Sequence, residues 1–324
     1  MSENKELLSG GWSMVARNKR YIFWFYVLNV ALARFGAAAF GNQVHEILDH
    51  SLHSARLVQG FDVSVLIEMF ARPEFGPTSA SVGSAAVCAV LFLFATALFL
   101  PGVLQGYAST YRLPREDFFR ACGRNLWRFV RLLIVAGIVM GIAAAALFGI
   151  RAALLKKAAE STNELLPFYV SMACLAVIFL VMAALRIWFD LAQADVVLSD
   201  QRAVRKSIGT AFRHTWKNLG RLLASYVVIT IFAAVVLVAG ILVWLKFVPS
   251  ASVVGAVVVS QLTLLLLLIP RFWQRGVVVT YYLQHMVAPI AVQSFTPAPV
   301  VLPVISEPVA APIFPGAPPE PQAS

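Results

Sequence analysis

Charge, histidine and cysteine are all scarce in this chain of 324 residues: charged residues make up 13% of it, with 5 His and 3 Cys. A soluble domain usually carries about a quarter charged residues, so an ordinary water-facing surface is excluded. Cys88, Cys122 and Cys174 stand far apart. They form no CxxC and no disulfide framework, and they read as small, polarizable packing residues. Also missing are a Walker lysine loop, Gly-x-Ser-x-Gly, GxGxxG and paired intramembrane aspartates, so no nucleotide, serine-hydrolase or dinucleotide chemistry is signalled. No cofactor is expected. Segments of about ten alternating residues are lacking too, which excludes a membrane β-barrel.

What the chain has instead is apolar length. It is 60% hydrophobic, with a mean hydropathy of +0.78. Six runs approach or exceed the ~20 residues that a helix needs to cross ~30 Å of hydrocarbon. They lie at about 21–41, 84–104, 130–150, 168–189, 222–245 and 252–271. Ala37-Ala38-Ala39 resembles a cleavage site, but the apolar run before it is longer than the ~7–15 residues of a signal peptide, so a retained anchor is expected. The fold class that follows is an all-α integral membrane protein of six transmembrane helices. An amphipathic cytoplasmic segment (1–20) precedes the membrane domain (21–286). A proline-punctuated tail (287–324), without helix or strand period, is expected to be disordered and cytoplasmic.

The net charge of +10 is a topology signal. Lys5, Arg17, Lys19 and Arg20 precede the first run, and Arg112, Arg115, Arg120, Arg124, Arg128 and Arg131 separate the second from the third. Arg186, Arg202, Arg205, Lys206, Arg213, Lys217 and Arg221 lie between the fourth and fifth, and Arg271 and Arg275 end the sixth. If six helices alternate, all of these fall on one side, against Arg56, Arg72, Arg151, Lys156, Lys157 and Lys246 on the other. The positive-inside rule then puts both termini in the cytoplasm of a cell membrane, a bacterial inner membrane. No nucleic-acid module accompanies the charge, so nucleic acid is not an expected partner.

Two basic stretches repeat. Aligning 118–133 with 207–223 puts Trp127 on Trp216, Arg124 on Arg213 and Arg128 on Lys217, a shift of 89 residues. The same shift carries the second run onto the fourth, which points to a duplicated hairpin, with "GWSMVARNKRYIFWF" as a degenerate third copy. Each stretch has a helical apolar stripe: Val204, Ile208, Ala211, Phe212 and Trp216 in one, Phe118, Phe119, Cys122, Leu126 and Phe129 in the other. Opposite the stripes stand Arg205, Arg213, Lys217 and Arg221, and Arg120, Arg124, Arg128 and Arg131. Such helices suit the headgroup layer, and these eight cations are the expected site for anionic lipid or an acidic partner.

Four weaker constellations remain. In "HEILDHSLH", Glu46, His50 and His53 share one helical face (i, i+4, i+7) and could hold zinc with an open position, but no second cluster supplies a further ligand, and a solvated polar loop helix is the preferred reading. Asn29, Arg34 and Gln261 are polar residues inside apolar runs, where substrate paths are sought. Arg186 and Asp190 are spaced for an ion pair, and Asp195 and Asp200 are expected to pair with the basic helix 203–221. Gly137, Gly141, Ala145 and Gly149 form a small-residue ridge for close helix packing, within the bundle or between protomers.

Residues 189–229, "FDLAQADVVLSDQRAVRKSIGTAFRHTWKNLGRLLASYVVI", resemble the helical membrane domain fused to some glycerophosphodiester phosphodiesterases and related, uncharacterised bacterial multi-span proteins. Asp195, Ala203, Ser207, Arg213 and Trp216 carry the pattern. The resemblance implies a membrane fold and, since no catalytic domain accompanies it, no hydrolase activity. The leading expectation is a non-enzymatic membrane component that binds lipid or a partner, or forms a homo-oligomer. A small transporter comes second, and a metal-dependent membrane enzyme using the outer-loop histidines third.

Overall fold

A computed structural model describes residues 2–49, 79–109, 111–160, 163, 165–201, 203–249 and 252–287. These residues form α1 (Ser2–Arg17), α2 (Lys19–Asp49), α3 (Ser79–Ala108), α4 (Arg115–Ala159), α5 (Leu166–Leu198), α6 (Val204–Lys217), α7 (Leu219–Phe247) and α8 (Val253–Tyr282). A single π turn, Leu283–Val287, extends α8. Among the described residues five helices are long and apolar enough to cross a bilayer: α3 from Ala86, α4, α5, α7, and α8 with its π turn. The chain is an all-α, multi-pass membrane protein. The expected first span lies within α2, part of whose side chains fall outside the described residues, and α2 is not one of the five.

Packing divides the bundle into two ends. At the charged end, α1 and α6 join the C-terminal parts of α3, α5 and α8 and the N-terminal parts of α2, α4 and α7 in a dense core. Leu191–Val197 of α5 and Gly276–Tyr282 of α8 are buried on every side there. At the other end the helices separate: Ile138, Ile142, Val177, Val235 and Val238 are all exposed. Only 6% of the most apolar window of α4, α5 or α7 is buried within the chain. A side chain in hydrocarbon gains little by turning from lipid to another apolar side chain, so no hydrophobic force draws this end together.

The innermost helices are α3, α5 and α8, which touch one another. Small residues set how closely the others approach. A Cβ at Gly102 would lie 2.6 Å from the Phe118 ring, and one at Gly106 would collide with the Tyr21 hydroxyl. Thus α3 receives α4 and α2 on glycine faces. Across the bundle, α1 crosses α8 backbone to backbone: a Cβ at Gly276 would stand 2.6 Å from the Gly11 carbonyl oxygen. Trp273 fastens this crossing, its Nε1 donating to the Leu8 carbonyl at 2.9 Å.

The two basic stretches do not have the same structure. Residues 204–217 form a separate helix that ends where Asn218 leaves helical geometry (φ −122°, ψ 26°), with flexible Gly220 just beyond. Residues 116–133, expected as a second interfacial helix, are instead the N-terminal part of the unbroken 45-residue α4. At 1.5 Å per residue α4 is about 67 Å long, more than twice the ~30 Å hydrocarbon thickness, so it is far longer than one span requires.

Candidate functional site

The structure sorts the eight cations by partner. On α4, Arg128 donates to Asp200 Oδ1 at 2.7 Å and to Asn125 Oδ1 at 3.4 Å, and Arg124 approaches the same aspartate at 3.8 Å. Arg120 is paired with Asp117 at 2.8 Å, and Arg131 lies 5.5 Å from the centroid of the exposed Trp127 ring. The row on α4 is therefore largely engaged within the chain.

On α6 the balance differs. Ser207, Ala211 and Thr215 face the bundle, while Phe212 and Trp216 are exposed and stack with ring centroids 5.4 Å apart. The expected apolar stripe is thus split. Val204 and Ile208 lean on the core, where the Ile208 carbonyl accepts from Trp188 Nε1 at 2.9 Å, and the aromatic pair is left outside. Among the described residues, Arg205, Arg213 and Lys217 stand within 4 Å of no carboxylate. Arg221 lies 3.4 Å from His285 Nε2. Beside it, Tyr281 accepts from Asn218 Nδ2 at 2.7 Å and stacks on the His285 ring. His214 is half-buried, and loss of hydration lowers its pKa below the usual 6.5, with Lys217 acting in the same direction and Asp195 opposing.

Asp200 departs from the expectation: its carboxylate is held by Arg124 and Arg128 of α4. The cause is local: Asp200 has φ 52°, a left-handed conformation that Asp tolerates better than most residues, and the chain reverses there. Among the described residues Asp195 forms no ion pair with the helix 203–221, although its charge acts on His214 there. Its Oδ1 accepts from Tyr282 at 3.2 Å.

Deeper in the bundle a polar cluster surrounds Asp190. The pairing of Arg186 with Asp190 is present at 3.7 Å, and Tyr226 donates to the same carboxylate at 2.8 Å. Arg275 is enclosed nearby and feels the charges of Asp190, Arg186 and Arg271. Among the described residues three enclosed polar atoms, Arg275 Nε, the nearby Tyr107 hydroxyl and Gln105 Oε1 of α3, have no hydrogen-bond partner. Sequence reading missed Arg271 and Arg275 as part of this cluster. Their signal was a pair of arginines four apart, just after the apolar part of α8.

An apolar groove of about 690 Å³ opens between α2 and α4, with Phe99 of α3 behind it. Trp24, Phe25, Leu28 and Ala31 line its length, and Arg20 and Arg115 stand among its lining residues. Arg20 donates to the Leu113 carbonyl at 2.8 Å and to the Tyr21 hydroxyl at 3.1 Å. Arg17 likewise donates to the carbonyls of Ser109 (2.8 Å) and Tyr107 (3.3 Å), which satisfies the exposed C-terminal end of α3. The two acceptors of Arg20 are neutral, so they leave its positive charge in place.

The remaining expected residues are scattered. Gln261 accepts from Tyr26 at 3.0 Å, Asn29 is half-buried, and Arg34 is exposed. Gly137, Gly141 and Gly149 form an open face: nothing approaches within 4 Å of where their Cβ atoms would be, so the ridge makes no packing contact inside the described chain. His50 and His53, the side chain of Glu46 and the tail from residue 288 lie outside the described residues. Among the described residues no three His, Cys, Asp or Glu are grouped to hold a metal. Comparison with protein-family models, with curated proteins and with solved structures gave no match.

Proposed function

We propose that this protein is a non-enzymatic membrane component with six spans, α2 being the sixth, and both termini cytoplasmic, and that it binds anionic lipid through its charged end. The observation that carries the reading is the outer face of α6. Exposed Phe212 and Trp216 lie beside Arg205, Arg213 and Lys217, which have no carboxylate partner among the described residues. Aromatic rings beside uncompensated cations suit the boundary between acyl chains and phosphate.

The bundle is proposed to hold three hairpins, each pairing an inner helix with a basic re-entry: α3 with α4, α5 with α6 and α7, and α8 with α1 and α2. Asn125 and Asn218 align at a shift of 93 residues, one helical turn from the tryptophan alignment, and bring Asn-Leu-x-Arg into both copies. Asn18 supplies the third. Three residues before each asparagine, Val15, Cys122 and Thr215 are buried, and four after it so are Ile22, Phe129 and Leu222. The resemblance of 189–229 to known membrane hairpins agrees with this arrangement.

The test is native mass spectrometry of the full chain in detergent, titrated with phosphatidylglycerol and phosphatidylcholine. Each interfacial cation contributes about 1 kcal/mol on an anionic surface, so a triple variant (R205Q, R213Q and K217Q) should lose on the order of a hundredfold of the preference for phosphatidylglycerol. An unchanged preference rejects the α6 face. A second reading, a small transporter, is favoured by the partnerless polar atoms around Asp190, which invite water into the bundle. It predicts ion flux across proteoliposomes that disappears in Asp190→Asn.

A further inference from the structure

The geometry points to a single bound anionic glycerophospholipid in the groove between α2 and α4, with its phosphate at Arg20 and Arg115 and an acyl chain running past Leu28 to Ala31. This rests on the lipid-binding reading above but names a different site, formed by residues outside the two expected arginine rows.

Three observations argue for that occupant. The first is polarity: apart from Arg20, Arg115 and the Tyr21 hydroxyl, every lining side chain is apolar, and the hydroxyl already accepts from Arg20. An occupant with one charged end and a long apolar body matches this; a polar metabolite does not. The second is charge. Arg20 spends its bonds on a neutral carbonyl and a hydroxyl, and no contact holds the exposed Arg115 side chain. The nearest carboxylates in sequence do not compensate it. Asp117 is held by Arg120 at 2.8 Å, and Glu116 follows Arg115 about 100° round the helix. Two guanidinium groups at one mouth favour a phosphodiester, which accepts several charge-assisted hydrogen bonds.

The third is length. From Arg20 to Ala31 the groove follows α2 for about 16 Å at 1.5 Å per residue, roughly half of the ~30 Å hydrocarbon layer. A groove one leaflet deep, with its cations at the basic end, fits one lipid standing in its own leaflet. Trp24 and Phe119, 66% and 59% exposed, flank it on the lipid-facing side, so entry needs no opening of the bundle.

The experiment uses the full chain in detergent, native mass spectrometry with phosphatidylglycerol as the probe, and a photo-crosslinking phosphatidylglycerol that carries a diazirine in its acyl chain. One phosphatidylglycerol should outlast the rest as detergent is raised, and the diazirine should label peptides containing Leu28 or Phe99. Arg115→Gln breaks no contact and should fold normally. It should weaken retention about fivefold, and adding Arg20→Gln should weaken it by about the same factor again. Ala31→Trp fills the deep end without changing charge and should abolish the labelling. The α6 triple variant should keep both the retained lipid and the labelling. If loss follows only the α6 variant, the groove assignment is overturned while lipid binding stands. If wild type shows no preference for phosphatidylglycerol over phosphatidylcholine, both readings fall. Equal labelling of wild type and Ala31→Trp also overturns the groove.

Discussion

Gly276→Ala isolates the contact that holds the N-terminal helix to the bundle. The added methyl would stand 2.6 Å from the Gly11 carbonyl oxygen and 3.1 Å from its carbonyl carbon, and both are backbone atoms that cannot rotate away. Restoring ordinary contact at about 3.4 Å requires α1 to back away by roughly 0.8 Å. Overpacking of this kind costs about 1–3 kcal/mol. The shift also stretches the bond from Trp273 to Leu8, whose net worth is about 0.5–1.5 kcal/mol. Alanine returns about 0.5–1 kcal/mol through helix propensity. The balance is a destabilisation of about 1–3 kcal/mol, concentrated at the crossing of α1 and α8. Hydrogen exchange in detergent should show α1 amides opening at least fivefold faster, while those of α5 change little. Gly137→Ala is the control, because nothing lies within 4 Å of its Cβ and the propensity gain should appear alone. If α1 exchanges in Gly276→Ala as in wild type, or if Gly137→Ala is equally damaging, the backbone crossing is wrong.

Asp190→Asn removes the carboxylate that Arg186 pairs with and that offsets the charge of Arg275, and it weakens the acceptor of Tyr226. Leaving buried cations unpaired costs about 3–5 kcal/mol, so the variant should show a greatly lowered unfolding midpoint in detergent, with partial rescue when Arg275→Met is added. Asp200→Asn breaks the surface pairs with Arg124 and Arg128, and a loss of no more than about 1 kcal/mol, shrinking with added salt, is expected in the same assay. His214 binds its proton less readily folded than unfolded. Its contribution is therefore intact above the unfolded value near 6.5 and is lost as pH falls below it. Melting curves between pH 7.5 and 5 should lose part of their acid slope in His214→Gln.

The helices were legible because a bilayer sets a length threshold that soluble helices rarely meet, and the runs of α3, α4, α5, α7 and α8 all pass it. What the runs could not show is how helices continue beyond the membrane. Asn125 and Asn218 occupy matching positions, yet α4 passes straight through one and the chain breaks at the other. The two residues that follow separate them. Leu126 and Trp127 sustain a helix, whereas Gly220 relaxes it and Asn218 gives its side chain to Tyr281. At Asn125 the amide bonds back to the Ala121 carbonyl of its own helix at 3.1 Å. Periodicity saw the same stripe in both places, because it registers which face is apolar and not whether the axis bends.

The site was legible only where its residues share one helix. Arg186 and Asp190 are four apart, and spacing alone found them. Asp200 was assigned to the neighbouring helix because nearness in sequence is the only guide before a turn is known, and its left-handed backbone sends it to α4. The groove is the extreme case. Arg20 reaches Leu113 across 93 positions, and Phe99 comes from a third helix. No pattern in any one segment marks them. Gly102 and Gly106 were the indirect trace, since two glycines four apart in an apolar helix predict that something is received closely there. What they receive, Phe118 and Tyr21, are two of the groove's own lining residues. The glycines thus draw α2 and α4 onto α3 at the basic end, while Ala31 ten residues along α2 from Tyr21 leaves the space between them unfilled. The apolar groove between α2 and α4 follows from that contrast in side-chain size.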